Sequence, residues 1–285
     1  MLHRSTIQLL RFHFSFFLLP VFLFALSQVP VINWGKAVLV FLILHVLVYP
    51  SSNGYNSYMD KDETPIGGLS NPLLPTRQLF YTSVVMDVAA ILLSLFVSFI
   101  FALGILLYIL ASRAYSYRGI RLKKYPVIGF LTVFIFQGAL VFFIVYYAVQ
   151  RLQTLQVPIL PCIISGLLIG ALYPLTQIYQ HEEDRRDAVI TISMLLGKKG
   201  TFVFSMLLFL SATFLLIIRF QQSEQMSYWY LFLLIMLPVV LFFLFWMMRV
   251  WKKEKEANFK NSLRMNALAT ICTSAYFITL IVLSH

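Results

Sequence analysis

"YNSYMDKDETPIGG", residues 55–68, is a polar island in an apolar chain. Asp60, Lys61, Asp62 and Glu63 follow one another directly after a long apolar run that ends near Tyr49, and a second apolar run begins near Phe80. Of the 285 residues, 60% are hydrophobic and 12% are charged, against about 25% charged in soluble domains. Apolar runs long enough to cross a bilayer, roughly 20 residues each, recur throughout. The composition therefore predicts an all-α fold: a polytopic membrane bundle in which the island is a link between two spans.

Nine spans are expected, near 8–28, 33–51, 80–99, 101–113, 126–148, 157–178, 199–219, 228–248 and 267–284. Ala102-Leu103-Gly104 could belong to either the third or the fourth. The first span is too long, and lacks the small-residue cleavage site, to be a removable signal peptide. Charge tests the count. Placing the N-terminus in the cytoplasm puts all the Lys and Arg residues inside except Lys36, Arg151 and Arg219, out of 22. That is the bias of inner loops in membrane proteins. The C-terminus then lies outside. The net charge of +11 is explained by topology, and no nucleic-acid partner is expected. Cys162 and Cys272 fall in spans at different depths, so no disulfide is expected.

The acids are also sorted. Asp60, Asp62 and Glu63 follow the second span; Glu182, Glu183, Asp184 and Asp187 follow the sixth. Both spans run inward, so both clusters emerge on one face, as an internal repeat of four-helix units would place them. Asn56 and Asp60 are four apart, as are Gln180 and Asp184, a spacing that shares one helix face. Carboxylate and amide oxygens of this kind suit Mg²⁺, which completes its shell with water and phosphate. Bases lie nearby: Lys123 and Lys124 between spans four and five, and Arg185 and Arg186 beside the second cluster. Acids and bases on one face can cradle a diphosphate. A solvated charge run that merely sets topology is the simpler alternative for either cluster alone.

The motifs resemble a family. "NSYMD" at 56–60 looks like the first aspartate-rich motif, Asn-x-x-x-Asp-x-x-x-Asp, of the UbiA-type intramembrane prenyltransferases. "YQHEEDRRD" at 179–187 is similar to their second, "YSYRGIRLKKYP" at 115–126 resembles their tyrosine-and-lysine loop, and "LLGKKG" at 195–200 has its counterpart as well. The resemblance implies a nine-helix bundle around a central cavity, one domain over 1–285. It implies transfer of a polyprenyl group from its diphosphate to an aromatic or lipid acceptor, with Mg²⁺ as cofactor, in lipid-quinone or related isoprenoid synthesis. A bacterial inner membrane is the expected location. Asn56 and Asp60 would hold one metal and Asp184 the other, and Lys123 would contact the diphosphate. The chain departs from the pattern at Thr64, where the first motif's last aspartate falls, and at Gln180, where the second motif's first aspartate falls. Asp62 or Glu63 would have to replace the former, and Gln180 would be a neutral metal ligand.

Several further residues carry two readings. Tyr115 and Tyr179 flank the polar loops and could stabilise an allylic cation through their ring faces; most aromatics in such a chain are packing or interfacial residues. Arg11 is either a diphosphate contact or a topology marker. Asp87, inside the third span, is either a cavity-facing acid or one paired with Thr82 or Ser83; an intramembrane acid also admits a transporter or channel. His13 and His45 lack ligand spacing. Gln137 either bonds within the bundle or lines the cavity. A catalytically impaired family member is the remaining alternative.

Overall fold

The structure, a computed structural model, describes residues 2–284. Its described residues form nine helices long and apolar enough to span a bilayer: α1 Arg4–Gln28, α2 Trp34–Asp60, α3 Arg77–Leu95, α4 Phe99–Ser116, α5 Pro126–Val149, α6 Ile159–Gln177, α7 Ile192–Gln222, α8 Met226–Lys252 and α9 Phe259–Ser284. Large apolar side chains such as Val85, Phe214 and Leu234 point outward, as suits a surface facing lipid rather than water. The ambiguous Ala102-Leu103-Gly104 belongs to α4, because the turn falls earlier and Ser98 caps the new helix by accepting from Phe101 N.

The apolar pattern understates α2. The hydrophobic run ends near Tyr49, yet the helix continues to Asp60 with Ser51, Gly54, Tyr55 and Ser57 buried. Polar residues persist in this helix because its inner face meets polar partners, not lipid. Pro50 has no N–H and its ring crowds the preceding turn. The turn just before it, Ile43–Val48, widens to a π-helix, a common relief for such a conflict. A second π turn, Phe134–Leu140, interrupts α5. Helix α1 is broken at Arg11, whose backbone is left-handed (φ 48°). Helix α7 bends at Gly197, where φ is 68°, a conformation that costs glycine little and other residues more.

The links 61–76, 117–125 and 178–191 lie together at one end, tied by Arg118 Nε donating to Met59 O (2.8 Å) and Gln180 Nε2 to Pro65 O (3.4 Å). The link between α5 and α6 reaches the opposite end, where Asn33 N donates to Val149 O (2.7 Å). The core between α1, α5 and α9 stacks Phe24 on Phe277 (4.6 Å) and against Phe142 (4.9 Å). Cys162 and Cys272 are free.

Asp87 corrects the sequence reading. Its partners are Arg113 of α4, through both Nε and the terminal nitrogen, and Ser51 of α2; Thr82 and Ser83 are not among them. The Arg113 guanidinium also lies 4.0 Å from the Tyr55 ring centre. The spacing within α3 favoured near neighbours, but the buried charge takes the opposite charge that the fold brings to it.

Helices α5 and α6 touch through glycine. A Cβ at Gly138 would sit 2.5 Å from Gly166 Cα and 2.8 Å from Gly166 N. Backbone cannot yield as a side chain does, and small residues allow such close helix approach. Gly138→Ala is expected to lower stability by about 1–3 kcal/mol, while Gly35→Ala, whose Cβ would meet only Asn33 Oδ1 at 3.6 Å, leaves it nearly unchanged. Thermal unfolding of the two variants in detergent compares them; equal melting temperatures would contradict this account of the α5–α6 contact.

Candidate active site

The two acidic clusters converge. A cavity of about 250 Å³ opens among the links at the motif end and runs into the bundle. Asn56, Asp60 and Asp62 line it from the end of α2, Gln180 and Asp184 from the link after α6, and Lys123 from the link after α4. Each is placed by a local feature. Asn56 and Asp60 sit one turn apart, and Asn56 Nδ2 bridges Asp60 Oδ2 (2.9 Å) and Ser116 Oγ (3.0 Å). The chain then reverses at Lys61, which is left-handed (φ 57°), and this turns Asp62 inward. Asp184 sits in a short helix, His181–Arg186.

The Asp60 side chain is only 4% exposed. Lys123 Nζ pairs with one carboxylate oxygen and Arg121 approaches the other at 3.4 Å. Arg121 also pairs with the Asp187 carboxylate and donates to Asp187 O (3.1 Å). One guanidinium thus ties the first motif to the end of the second. The sequence reading counted Arg121 only as a topology marker; its position two residues before Lys123 is the available signal. Arg121 is held above its ordinary value: burial works against its charge, but Asp187 and Asp60 outweigh it.

Other acids lack such compensation. Asp184 is pushed up to about 7, first by burial, with Asp60 and Asp62 adding to it and Lys123 opposing. Asp62 is pushed up to about 6 by burial and then by Asp60. Asp184 Oδ2 is buried with no hydrogen-bond partner. Crowded carboxylates, one with an orphaned oxygen, fit a dication. Among the described residues no three His, Cys, Asp or Glu side chains form a ready cage. The donor set suits Mg²⁺, which takes few protein ligands and completes its shell from water and phosphate.

Arg11 enters at the break in α1. Its guanidinium donates to Gly67 O (3.1 Å) and Asn53 O (3.2 Å) and lines the cavity. Tyr179 and Tyr115 line it as well, and the Tyr115 hydroxyl pairs with that of Tyr173. Gln177 Nε2 donates to the same Tyr173 hydroxyl at 2.7 Å. Tyr173 and Gln177 were not singled out from sequence; they sit one turn apart on α6, just ahead of Gln180.

Three expected residues stand outside. Glu63 is exposed beyond the turn at Lys61, so of the two candidates to replace an acid at Thr64, Asp62 is the one that faces inward. Lys124 turns to the Tyr125 ring (4.9 Å), because adjacent residues of the tight turn Leu122–Lys124 cannot share one direction. Arg185 is exposed on the outer side of its short helix.

A second cavity, about 300 Å³, lies deeper among α1, α6, α7, α8 and α9, and its lining is almost wholly apolar. Phe17, Ile169 and Leu172 line both cavities and so mark where they adjoin.

The fold has solved counterparts. A UbiA homolog from Archaeoglobus fulgidus bound to GPP and Mg²⁺ is 18% identical, with 98% of this chain and 99% of that chain covered and a TM-score of 0.69. A UbiA homolog from Aeropyrum pernix K1 is 19% identical, over 94% and 97% of the two chains, also with a TM-score of 0.69. A structure concerned with digeranylgeranylglyceryl phosphate synthase is 19% identical, over 99% and 98%, with a TM-score of 0.62. No curated protein sequence matches the chain. The family model described as UbiA prenyltransferase family matches residues 16–268. With that match spanning both acid motifs and the loop between them, the chain belongs to the UbiA prenyltransferase family.

Proposed function

We propose that this chain, as one functional unit, transfers a prenyl group from a prenyl diphosphate to a small acceptor, with Mg²⁺. The observation that carries the reading is the convergence of Asp60, Asp62, Asp184 and Lys123 on one cavity that adjoins an apolar one. The Archaeoglobus homolog solved with GPP and Mg²⁺ supports the same ligand pair here. Asn56, Asp60 and Asp62 would hold one ion, and Asp184 with Gln180 the other. Bound Mg²⁺ would neutralise the diphosphate and stabilise charge developing on the leaving oxygen.

The chain's own residues do the rest. Lys123 and Arg11 bring positive charge to the diphosphate, and Arg121 holds Asp60 in place. The C1–O bond of the donor breaks with its electron pair going to the diphosphate, and the acceptor's nucleophilic atom bonds to C1 and loses its proton. Tyr115, Tyr173 and Tyr179 offer ring faces to the cationic carbon. The apolar cavity takes the prenyl tail away from water, which would otherwise capture the cation. The transporter alternative is disfavoured because Asp87 is paired with Arg113 and does not line the cavity. The impaired-member alternative is weakened because Asp62 supplies an inward acid where Thr64 lacks one. The charge bias of the links supports a cytoplasmic motif end.

Two outcomes test this. Asp60→Ala and Asp184→Ala are each expected to reduce Mg²⁺-dependent release of diphosphate from geranyl or farnesyl diphosphate by at least about 100-fold, the size expected for lost transition-state charge stabilisation. Full activity in both variants would refute the metal assignment. The second is pH-linked. Because the folded-state value of Asp184 is raised from its ordinary 3.8 to about 7, its contribution to metal-free stability is complete below about pH 4 and is lost as pH rises through about 7. Mg²⁺ competes with that proton. Binding at pH 6–7 is therefore expected to release protons and to tighten as pH rises. Titration calorimetry in buffers of different ionisation enthalpy measures this; binding without proton release would contradict it.

A further inference from the structure

The polar cavity has a second end. It passes between α2, α4 and α5 to a floor formed by Tyr49, Ser52, Tyr108, Ser112 and Gln137. At about 1.5 Å per residue along α2, Tyr49 lies roughly 16 Å from Asp60 toward the middle of the bundle. Tyr49 is 2% exposed, yet its hydroxyl has no hydrogen-bond partner. Tyr108 turns its hydroxyl toward Gln137 and Ser52, but Ser52 Oγ is buried without meeting hydrogen-bond geometry. Buried hydroxyls are costly to leave unpaired, and two on one cavity wall call for a ligand.

The backbone singles out the same place. The π turn Ile43–Val48 ends at Tyr49, and the π turn Phe134–Leu140 carries Gln137. Such turns are rare and are frequent at functional sites. Here two different helices place one each beside the same floor. The Tyr49 and Tyr108 rings lie 5.9 Å apart, and Phe17 and Phe136 complete an aromatic wall.

No charged side chain lines this floor; Arg113, whose charge reaches Tyr108, stands behind it and is paired with Asp87. Arg11 is directed to Gly67 O and Asn53 O, and Asp60, Asp62, Asp184 and Lys123 are grouped at the mouth. We propose that the floor is the acceptor subsite, and that it takes a neutral ring hydroxyl, that of a phenol or hydroquinone, in preference to a carboxylate. Tyrosine hydroxyls and the Gln137 amide both donate and accept, which matches a hydroxyl. A carboxylate on the floor would be desolvated with no cation to pair it. The ring would then stand between the floor and the diphosphate, with the prenyl tail in the apolar branch beyond Phe17, Ile169 and Leu172. The proposal rests on the prenyl-transfer reading and adds the chemistry of the second substrate.

The test uses the full chain in lipid nanodiscs with two probes of one shape, 1-naphthol and 1-naphthoate, and separately geranyl diphosphate with Mg²⁺. Naphthol is expected to bind the wild type more tightly than naphthoate. Tyr49→Phe and Gln137→Leu should each weaken naphthol by roughly three- to tenfold, the loss of one neutral hydrogen bond, and leave geranyl diphosphate affinity and the melting temperature unchanged. Ser52→Ala, which removes little volume, is a third arm for the case in which a variant fails to fold. The proposal is overturned if naphthol does not bind, if the folded variants bind it as the wild type does, or if naphthoate binds more tightly. Loss of geranyl diphosphate binding in the wild type would instead remove the prenyl-transfer reading, whatever naphthol does.

Discussion

The structure turns on one problem of charge: several carboxylates gathered at one end of an apolar bundle, two of them partly buried without an ion-pair partner. Asp60 is compensated by Lys123 and Arg121, and Asp187 shares Arg121. Asp62 and Asp184 make no ion pair among the described residues; burial beside like charges raises both, with Lys123 only partly opposing. A fold that needed only stability would not keep this arrangement, since buried acids without partners are destabilising. On the proposed reading, the imbalance is the property that would let the site take dications and, through them, a diphosphate.

The bundle supports that end by departing from regular helix. Arg11 stands at the break in α1 and Gly197 at the bend in α7. The π turns of α2 and α5 bring Tyr49 and Gln137 to the far end of the cavity. Each irregularity sits where a helix borders the polar cavity or the link carrying Asp184. Where helices only pack, as at Phe24 against Phe277, they are tight and apolar. Asp87 and Arg113 join α2, α3 and α4 behind the first motif, so the helix that carries Asn56 and Asp60 is anchored by a buried ion pair.

Much of this was legible in the sequence. Apolar runs and the sorting of Lys and Arg identify nine spans, because bilayer thickness and loop charge constrain composition directly. The matched spacing of Asn56 with Asp60 and of Gln180 with Asp184 identifies the two clusters. The end of α2 was missed because helix beyond Tyr49 is held by tertiary contacts of Ser51 and Asn56, which hydropathy does not register. Choosing Asp62 over Glu63 required the left-handed turn at Lys61, and a non-glycine residue there leaves no sequence signal. Arg121 and Arg113 looked like ordinary inner-loop bases, since pairing with Asp187 or Asp87 depends on which links the fold brings together. Tyr49 and Gln137 are separated by most of three spans, and only the folded cavity shows that they share a floor.

The central claim is that the two acid clusters act as one metal–diphosphate site. Its most direct test is a crystal grown with Mn²⁺ and a geranyl thiolodiphosphate that resists cleavage, with anomalous density used to locate the metal. The account predicts peaks beside Asn56 and Asp60 and beside Asp184, with the diphosphate between them and Lys123 in contact. Diphosphate bound elsewhere, or bound here with no metal at either cluster, would contradict it.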